Sequence, residues 1–367
     1  MQTVYDTISP MQSRKYLATF APGFEGAVGD LLERTLPGCV NLVLSSGMAL
    51  FSHFADIGTV SSLAFFNNVF LILREWDTTT SPFHDLVKSS AGKSDLGAYR
   101  EPLVALASFA SSGSGSFRVR FSKENQFTSV DKKVMDFSEQ FISRVTGLRA
   151  DRMEPGIEFW YIIRREGRSF FAARLTKKAS TEKYLAQGEL RPEIAQLLAG
   201  MARLGDSDRV LLDPFAGHGA IPEQLSILQP DAVIHASDID PNLTSELARR
   251  FSLCKNVTVH TGDALRLEWL EDASVDLVIT DPPWGFWDDD AYKGERSIER
   301  LYAGMLDEFD RVLSPNGRAF VLTGAKREFA EAVEKSAAFA PSAGKEHFRT
   351  DILVNGKKSA VFALARN

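Results

Sequence analysis

Five apolar runs in the second half of this chain, within "RVLLDPFAGHG", "AVIHASDIDP", "VTVHTGDAL", "VDLVITDPPW" and "GRAFVLTG", alternate with segments of helical character. Nothing else in the 367 residues restricts the fold as strongly. Parallel strands cannot be joined by tight turns and need crossovers, so strand–helix alternation implies a doubly wound α/β sheet. One crossover is clear at 296–313, where Ile298, Leu301, Tyr302, Met305, Leu306 and Phe309 form a single apolar stripe that Ser314-Pro315-Asn316-Gly317 stops. Near the end, "RTDILVNGKKSAVFALAR" reads as two strands around Asn355-Gly356.

Four strand ends in this half deliver acids: Asp213, Asp238, Asp263 and Asp281. In an open α/β sheet, ligands bind beyond the carboxyl ends of the strands. A single acid there is most simply a helix cap. Four, with the turn Gly217-His218-Gly219 after the first, point to a binding site, since glycines let a ligand approach the backbone. A dinucleotide-binding oxidoreductase would want a third glycine at 222, where Pro222 stands. Asp213 ahead of the turn would repel a pyrophosphate but suits a cation such as S-adenosylmethionine, which carries an ammonium, a sulfonium and no phosphate. Asp238 is then placed to accept the ribose hydroxyls, Asp263 to accept from the adenine amine, and Asp281 to lie beside the transferable methyl group.

Asp281-Pro282-Pro283-Trp284 ends its strand abruptly, because two prolines lack backbone donors and fix φ. A rigid carboxylate and the Pro282 carbonyl can accept both hydrogens of a nucleobase amine and expose its delocalised lone pair, while Trp284 offers a stacking face. Such a base must be single-stranded or flipped out. Asn at 281 would have suited a glutamine-modifying enzyme instead. His218 has no acidic partner in sequence and reads as tolerated in the turn rather than catalytic. Trp287 reads equally as a stacking or a packing residue, and Tyr184 and Arg191 as linker and helix-start residues before cofactor contacts.

The amino half reads as α+β. "KYLATFAPGFEGAVGDLLERTLPG" is a strand, a turn and a helix; "MALFSHF" is a strand; and "ASSGSGS" is a flexible seam. After "FRVRFS" comes a helix to Gly147, then "IEFWYIIRR" and "RSFFAARLT" as a hairpin around Glu166-Gly167. The chain is acidic overall, at −6, yet residues 101–190 hold 15 basic against 11 acidic side chains. Basic charge on one face binds phosphates whatever the total, and Arg118, Arg120, Lys132, Lys133, Arg164, Arg165, Arg168 and Arg174 are the candidates as a group. The composition is that of an ordinary soluble protein, and the two distant cysteines, Cys39 and Cys254, suggest neither disulfides nor a metal site. With no apolar h-region at the start and no run long enough to span a bilayer, a cytoplasmic location without membrane contact is expected.

"DPFAGHGAIPEQL", "ASDIDP", "TGDAL" and "TDPPWG", in that order, resemble the Rossmann-like domain of nucleic-acid amino-methyltransferases. "GELRPEIAQLLA" before them is similar to the segment that begins this domain in the THUMP-containing guanine-N2 RNA methyltransferases. "YLATFAPGFEG" resembles their ferredoxin-like start, "FRVRFS…FISRVTG…FWYIIRREGRSFFAARL" a THUMP domain, and "DILVNGKKSAVFAL" their closing hairpin. The resemblance implies a ferredoxin-like region at 1–75, a THUMP-like RNA-binding domain at 76–176, a linker at 177–190 and a Rossmann-like methyltransferase domain at 191–367. It implies that Asp213, Ala216, Gly217 and Gly219 form the cofactor turn, Asp238 holds the ribose, Asp263 and Ala264 hold the adenine, and Asp281, Pro282, Pro283 and Trp284 are catalytic. The cofactor is S-adenosylmethionine, the partner RNA (tRNA ahead of rRNA), and no protein partner or metal is implied. The expected reaction is methylation of a guanosine N2 in tRNA. Alternatives are guanine-N2 in rRNA, adenine-N6 in nucleic acid, or an inactive RNA-binding platform. The chain departs from the family in carrying Trp284 where Tyr is frequent, and the acidic run Phe286-Trp287-Asp288-Asp289-Asp290 where a basic residue is usual.

Overall fold

The computed structural model describes residues 13–77, 82–92, 99, 102–103, 106, 115–176, 189–285, 297–340, 348–354 and 356–366. Most of the expected Gly/Ser seam, Tyr184 with nearly all of the expected linker, the stretch Phe286 to Asp290 and Asn355 lie outside them. The chain divides into two compact units, residues 1–20 with 32–178, and residues 21–31 with 179–367.

The first unit holds β1 (Arg14–Thr19), β2 (Val40–Ser45), β3 (Met48–His53), β4 (Asn68–Trp76), β5 (Ser116–Lys123), β6 (Gln126–Phe127), β7 (Arg149–Ala150), β8 (Ile157–Ile163) and β9 (Ser169–Arg174). They form one sheet in the order β2-β3-β1-β4-β9-β8-β5-β6, with β7 beside β5. Helix α1 (Glu25–Thr35) follows β1; α2 (Ile57–Ser61), α3 (Phe83–Ser90) and α4 (Lys132–Thr146) complete the helices described in this half. As the spacing predicts, α4 ends at Gly147, whose φ of 73° closes the last turn, and β8 and β9 pair antiparallel.

Two features differ from the expected division. Strand β4 pairs antiparallel with β9, from Phe70↔Arg174 to Trp76↔Ser169, so segments 1–75 and 76–176 share one sheet. Val69, Phe70 and Leu71 are buried, and so apolar a strand left at an edge would present unpaired backbone to other chains. Residues 21–31, most of α1, cluster with the second unit.

The second unit continues with α5 (Pro192–Met201), β10 (Val210–Asp213), α6 (Ala220–Leu228), β11 (Val233–Asp238), α7 (Pro241–Arg250) and β12 (Val257–Thr261). Then come β13 (Val275–Thr280), α8 (Ile298–Val312), β14 (Leu313–Thr323), α9 (Lys326–Lys335), β15 (Phe348–Val354) and β16 (Lys357–Ala365). The sheet order is β12-β11-β10-β13-β14-β16-β15, parallel from β12 to β14 and antiparallel in the closing hairpin. The chain steps outward from β10 to β12 and then returns to the other side of β10 as β13. That reversal opens a crevice at the carboxyl ends of β10 and β13, where α/β sheets bind ligands. Beneath it, Tyr302, Met305, Leu306, Phe309 and Val312 of α8 are buried with Val278, Val321 and Phe329, while Ile298 and Leu301 pack at the margin. No helix among the described residues is long and apolar enough to cross a membrane.

Candidate active site

Strand β10 ends at Asp213, which is 1% exposed. Its Oδ1 accepts from the Thr280 hydroxyl at 2.7 Å and from the Phe215 amide at 3.2 Å, whereas its buried Oδ2 has no hydrogen-bond partner among the described residues. Burial pushes the Asp213 carboxyl up to about 7; the bonds from Thr280 and Phe215 oppose the rise, and the charges of Asp281 and Asp238 add to it. Asp213, at the end of β10, thus senses the carboxylates that stand at the ends of the two flanking strands, as the strand order requires.

The glycine turn is held on both sides. Gly217 and Gly219 have φ of 49° and 89°, the left-handed region that other residues enter at a cost. A side chain at 219 would also stand 2.6 Å from Leu247, because α7 packs directly beneath. The Gly217 amide donates to Asp238 Oδ2 at 3.0 Å, and the Ala216 amide donates to the Ser237 carbonyl at 2.9 Å. Arg250, at the end of α7, donates to the His218 carbonyl and, at 2.8 Å, to Glu223. The structure therefore uses the backbone of His218 to fix the turn. Arg250 carries no signal in the sequence, since its reach across 32 positions depends on how α7 docks.

Asp238 also accepts from the Asp240 amide at 3.0 Å, so it shapes the turn into α7 as well as facing the crevice. Asp263 is exposed, with its Oδ1 accepting from the Leu265 amide at 3.0 Å, and Ala264 beside it is buried. Asp281 is partly open to solvent, yet enough protein surrounds it to push its carboxyl up to about 7, against the bond from Trp284. The Trp284 indole folds back and donates through Nε1 to Asp281 Oδ1 at 2.8 Å. Thr280, one residue ahead of the motif, ties Asp213 to the strand that carries Asp281.

These residues fit S-adenosylmethionine. A buried carboxylate oxygen without a partner among the described residues suits a cation, and the space above Gly217 is open, with none of the described residues within 4 Å of where a Cβ would stand. Among the described residues no three His, Cys, Asp or Glu side chains are grouped to hold a metal ion.

The eight basic candidates do not form one patch. Arg118 and Arg120 of β5 and Arg174 of β9 gather around Glu158 of β8, with Arg118 Nε at 3.0 Å, Arg174 Nη1 at 3.2 Å and Arg120 Nε at 3.7 Å. Arg164, Arg165 and Arg168 lie at the β8–β9 turn and pair with Glu166, Glu124 and Glu75. Lys132 and Lys133 are exposed at the start of α4. Arg164 is a correction to the group: it is 3% exposed and chelated by both oxygens of Glu166. Arg174 is another, its side chain 9% exposed within the sheet pair to Glu158. Buried guanidinium groups need carboxylates, and Glu166 in the same turn and Glu158 on the neighbouring strand supply these.

Residues 180–349 match the family described as RMKL-like, methyltransferase domain. The chain is 27% identical over 244 residues to the tRNA (guanine(6)-N2)-methyltransferase of Thermus thermophilus, covering 62% of this chain and 68% of that one. It is 29% identical over 191 residues to the tRNA (guanine(10)-N2)-dimethyltransferase of Methanothermobacter thermautotrophicus, covering 48% and 53%. Among solved structures, TrmN from Thermus thermophilus superposes with a TM-score of 0.73 at 21% identity over 97% of this chain and 100% of that one. SMU.472, solved in complex with SAH, superposes with a TM-score of 0.65 at 13% identity over 97% and 99%. Both structures share the fold along nearly the whole chain. The family match lies across the acid-tipped parallel sheet and its glycine turn, so it is this part of the chain that is similar to the RMKL-like methyltransferase domain.

Proposed function

We propose that this chain transfers a methyl group to the exocyclic N2 of a guanosine in tRNA. The observation that carries this reading is the convergence of Asp213, the Gly217–Gly219 turn and the Asp281–Trp284 motif at the switch point of the sheet. The two relatives named for guanine-N2 methylation of tRNA support the choice of amine and of RNA. When bound, S-adenosylmethionine supplies an electrophilic methyl carbon on a sulfonium. Asp213 balances the cofactor's positive charge, Asp238 accepts from the ribose, and Asp263 with Ala264 borders the adenine. Asp281 and the Pro282 carbonyl accept the amine hydrogens and turn the nitrogen lone pair outward. A carboxyl titrating at about 7 is suited to take the proton that the amine loses. Trp284 fixes that carboxylate through its indole N–H and offers its ring to the base. In the amino unit, Lys132 and Lys133 are the exposed candidates for phosphates, and the unit that the sequence likens to ferredoxin-like and THUMP domains holds the RNA.

The test is transfer of label from radioactive S-adenosylmethionine to separate pools of unmodified tRNA, rRNA and DNA, with the labelled nucleoside identified. N2-methylguanosine in tRNA is the expected product. The same nucleoside in rRNA alone would move the substrate, and N6-methyladenosine would replace the target base. Cofactor binding without label in any pool would favour an RNA-binding platform. Asp281→Asn should abolish turnover while leaving cofactor binding largely intact.

A further inference from the structure

Prolines 282 and 283 have no backbone N–H, so between Asp281 and Trp284 the motif offers the protein no amide to hold. It can be anchored only through carbonyls and side chains. One anchor comes from α8. The Tyr302 hydroxyl donates to the Pro283 carbonyl at 2.9 Å, and the same oxygen lies 2.8 Å from the Thr323 hydroxyl at the end of β14. The Ala325 amide in turn donates to Thr323 Oγ1 at 3.0 Å.

The proton positions in this chain of bonds follow from the donor inventory. A carbonyl only accepts, so the single phenolic proton goes to Pro283. The Thr323 hydroxyl must then donate to the phenol, and its lone pair is free to receive the Ala325 amide. Tyr302 and Thr323 are both 0% exposed, and the Tyr302 ring meets Phe329 edge-on at 5.1 Å. Fully packed and fully directed, the phenol cannot swing away as a surface side chain would.

We propose that Tyr302 is a positioning residue for methyl transfer: fixed by Thr323, it holds the Pro283 carbonyl and, through it, the Trp284–Asp281 pair that receives the target amine. The peptide plane it grips is the one that leads into Trp284, whose indole reaches back to Asp281. Releasing that plane lets the indole and the carboxylate drift, which degrades transfer without touching the glycine turn on the opposite side of the crevice. The inference rests on reading Asp281–Trp284 as the catalytic motif.

The experiment compares Tyr302→Phe with Tyr161→Phe, which removes the same atom from another buried pair, the Ser90–Tyr161 bond of 2.7 Å in the amino unit. Melting temperature, KM for S-adenosylmethionine and kcat are measured for each, alongside Thr323→Val and Asp281→Asn. Tyr302→Phe is expected to lose on the order of ten- to a hundredfold in kcat, the scale set by a small misplacement of reacting groups. Its KM for the cofactor should stay within about twofold. Thr323→Val, which deprives the phenol of its donor, should lose kcat in the same direction but less, and stands as the test if Tyr302→Phe does not fold. Tyr161→Phe should lose melting temperature alone. Wild-type kcat in folded Tyr302→Phe, or a loss no greater than in Tyr161→Phe, would overturn the proposal. Full turnover in Asp281→Asn would instead sink the reading of the motif and leave Tyr302 with nothing to position.

Discussion

Asp213 is held by the Thr280 hydroxyl and the Phe215 amide on one oxygen while its other oxygen has no partner among the described residues, an arrangement that costs the protein stability unless a cation arrives. Its folded-state pKa of about 7 lies above the ordinary 3.8, so its contribution to stability is fully present below about pH 4 and is lost as pH rises through 7. Asp213→Asn removes that dependence. Without cofactor, the variant should melt close to wild type at pH 4 and above it at pH 8, by on the order of a few kcal/mol of unfolding free energy. Binding of S-adenosylmethionine should be weakened more at pH 8 than at pH 6, because only the ionised carboxylate attracts the cation. Melting curves with and without cofactor across this range check both signs, and a variant destabilised at pH 8 would refute the assignment. At this scale the motif acids were legible because each ends an apolar run, a position that periodicity reveals. Thr280, Arg250 and Tyr302 were not, since their partners stand 67, 32 and 19 positions away and meet them only in the folded chain. Arg164 and Arg174 show the converse: their charge was visible, but not the glutamates that bury them.

Among the elements, β11 and β12 are joined by side chains as well as by their ladder. His235 Nδ1 lies 3.1 Å from His260 Nε2, and the His260 ring stacks on Trp269 at 3.6 Å with the planes 4° apart. Burial, with His260 adding to it, pushes His235 down to about 4, and burial lowers His260 as well. Both shifts lie below the ordinary 6.5. The stability they represent is present above about pH 6.5 and is lost as pH falls toward 4. His260→Phe keeps a ring against Trp269 and removes the second titrating group, so relative to wild type it should gain melting temperature steadily from pH 7 to pH 5. A difference that does not change with pH would exclude this account. Strands such as these were readable because an apolar run closed by an acid or a glycine has few alternatives. Strand β2 was not, because Val40, Leu42 and Val43 lie exposed at the edge of the sheet with an irregular register and leave no alternation to read. Helix α9 was missed for a related reason, as it buries only Phe329, Ala332 and Val333, too short a stripe to stand out.

Across the whole molecule, the amphipathic spacing of "EGAVGDLLERT" predicts a helix with one buried face but not what that face meets. Most of it, residues 21–31, belongs to the unit that otherwise begins at 179. The reason lies in α5, where every residue from Ile194 to Gly200 is buried, so no side of this helix can face water. Gly200 leaves room for Leu31, whose Cδ1 would stand 2.7 Å from any Cβ placed there. Arg203, just past α5, pairs with Asp30 at 2.7 Å. Phe24, Ala27, Val28 and Leu31 are all buried. A boundary drawn by order in the sequence would sever this segment from the unit it completes. A fragment of residues 179–367 alone should therefore melt lower than one carrying residues 21–31 on a flexible linker, by on the order of ten degrees, since burying even two such side chains is worth several kcal/mol. Changing Gly200 to Val in the linked fragment should abolish the difference, because the branched side chain takes the space of Leu31. If the two fragments melt together, residues 21–31 contribute nothing to the folded unit; if the linked fragment alone refolds, the methyltransferase unit is built from two separated stretches of the chain.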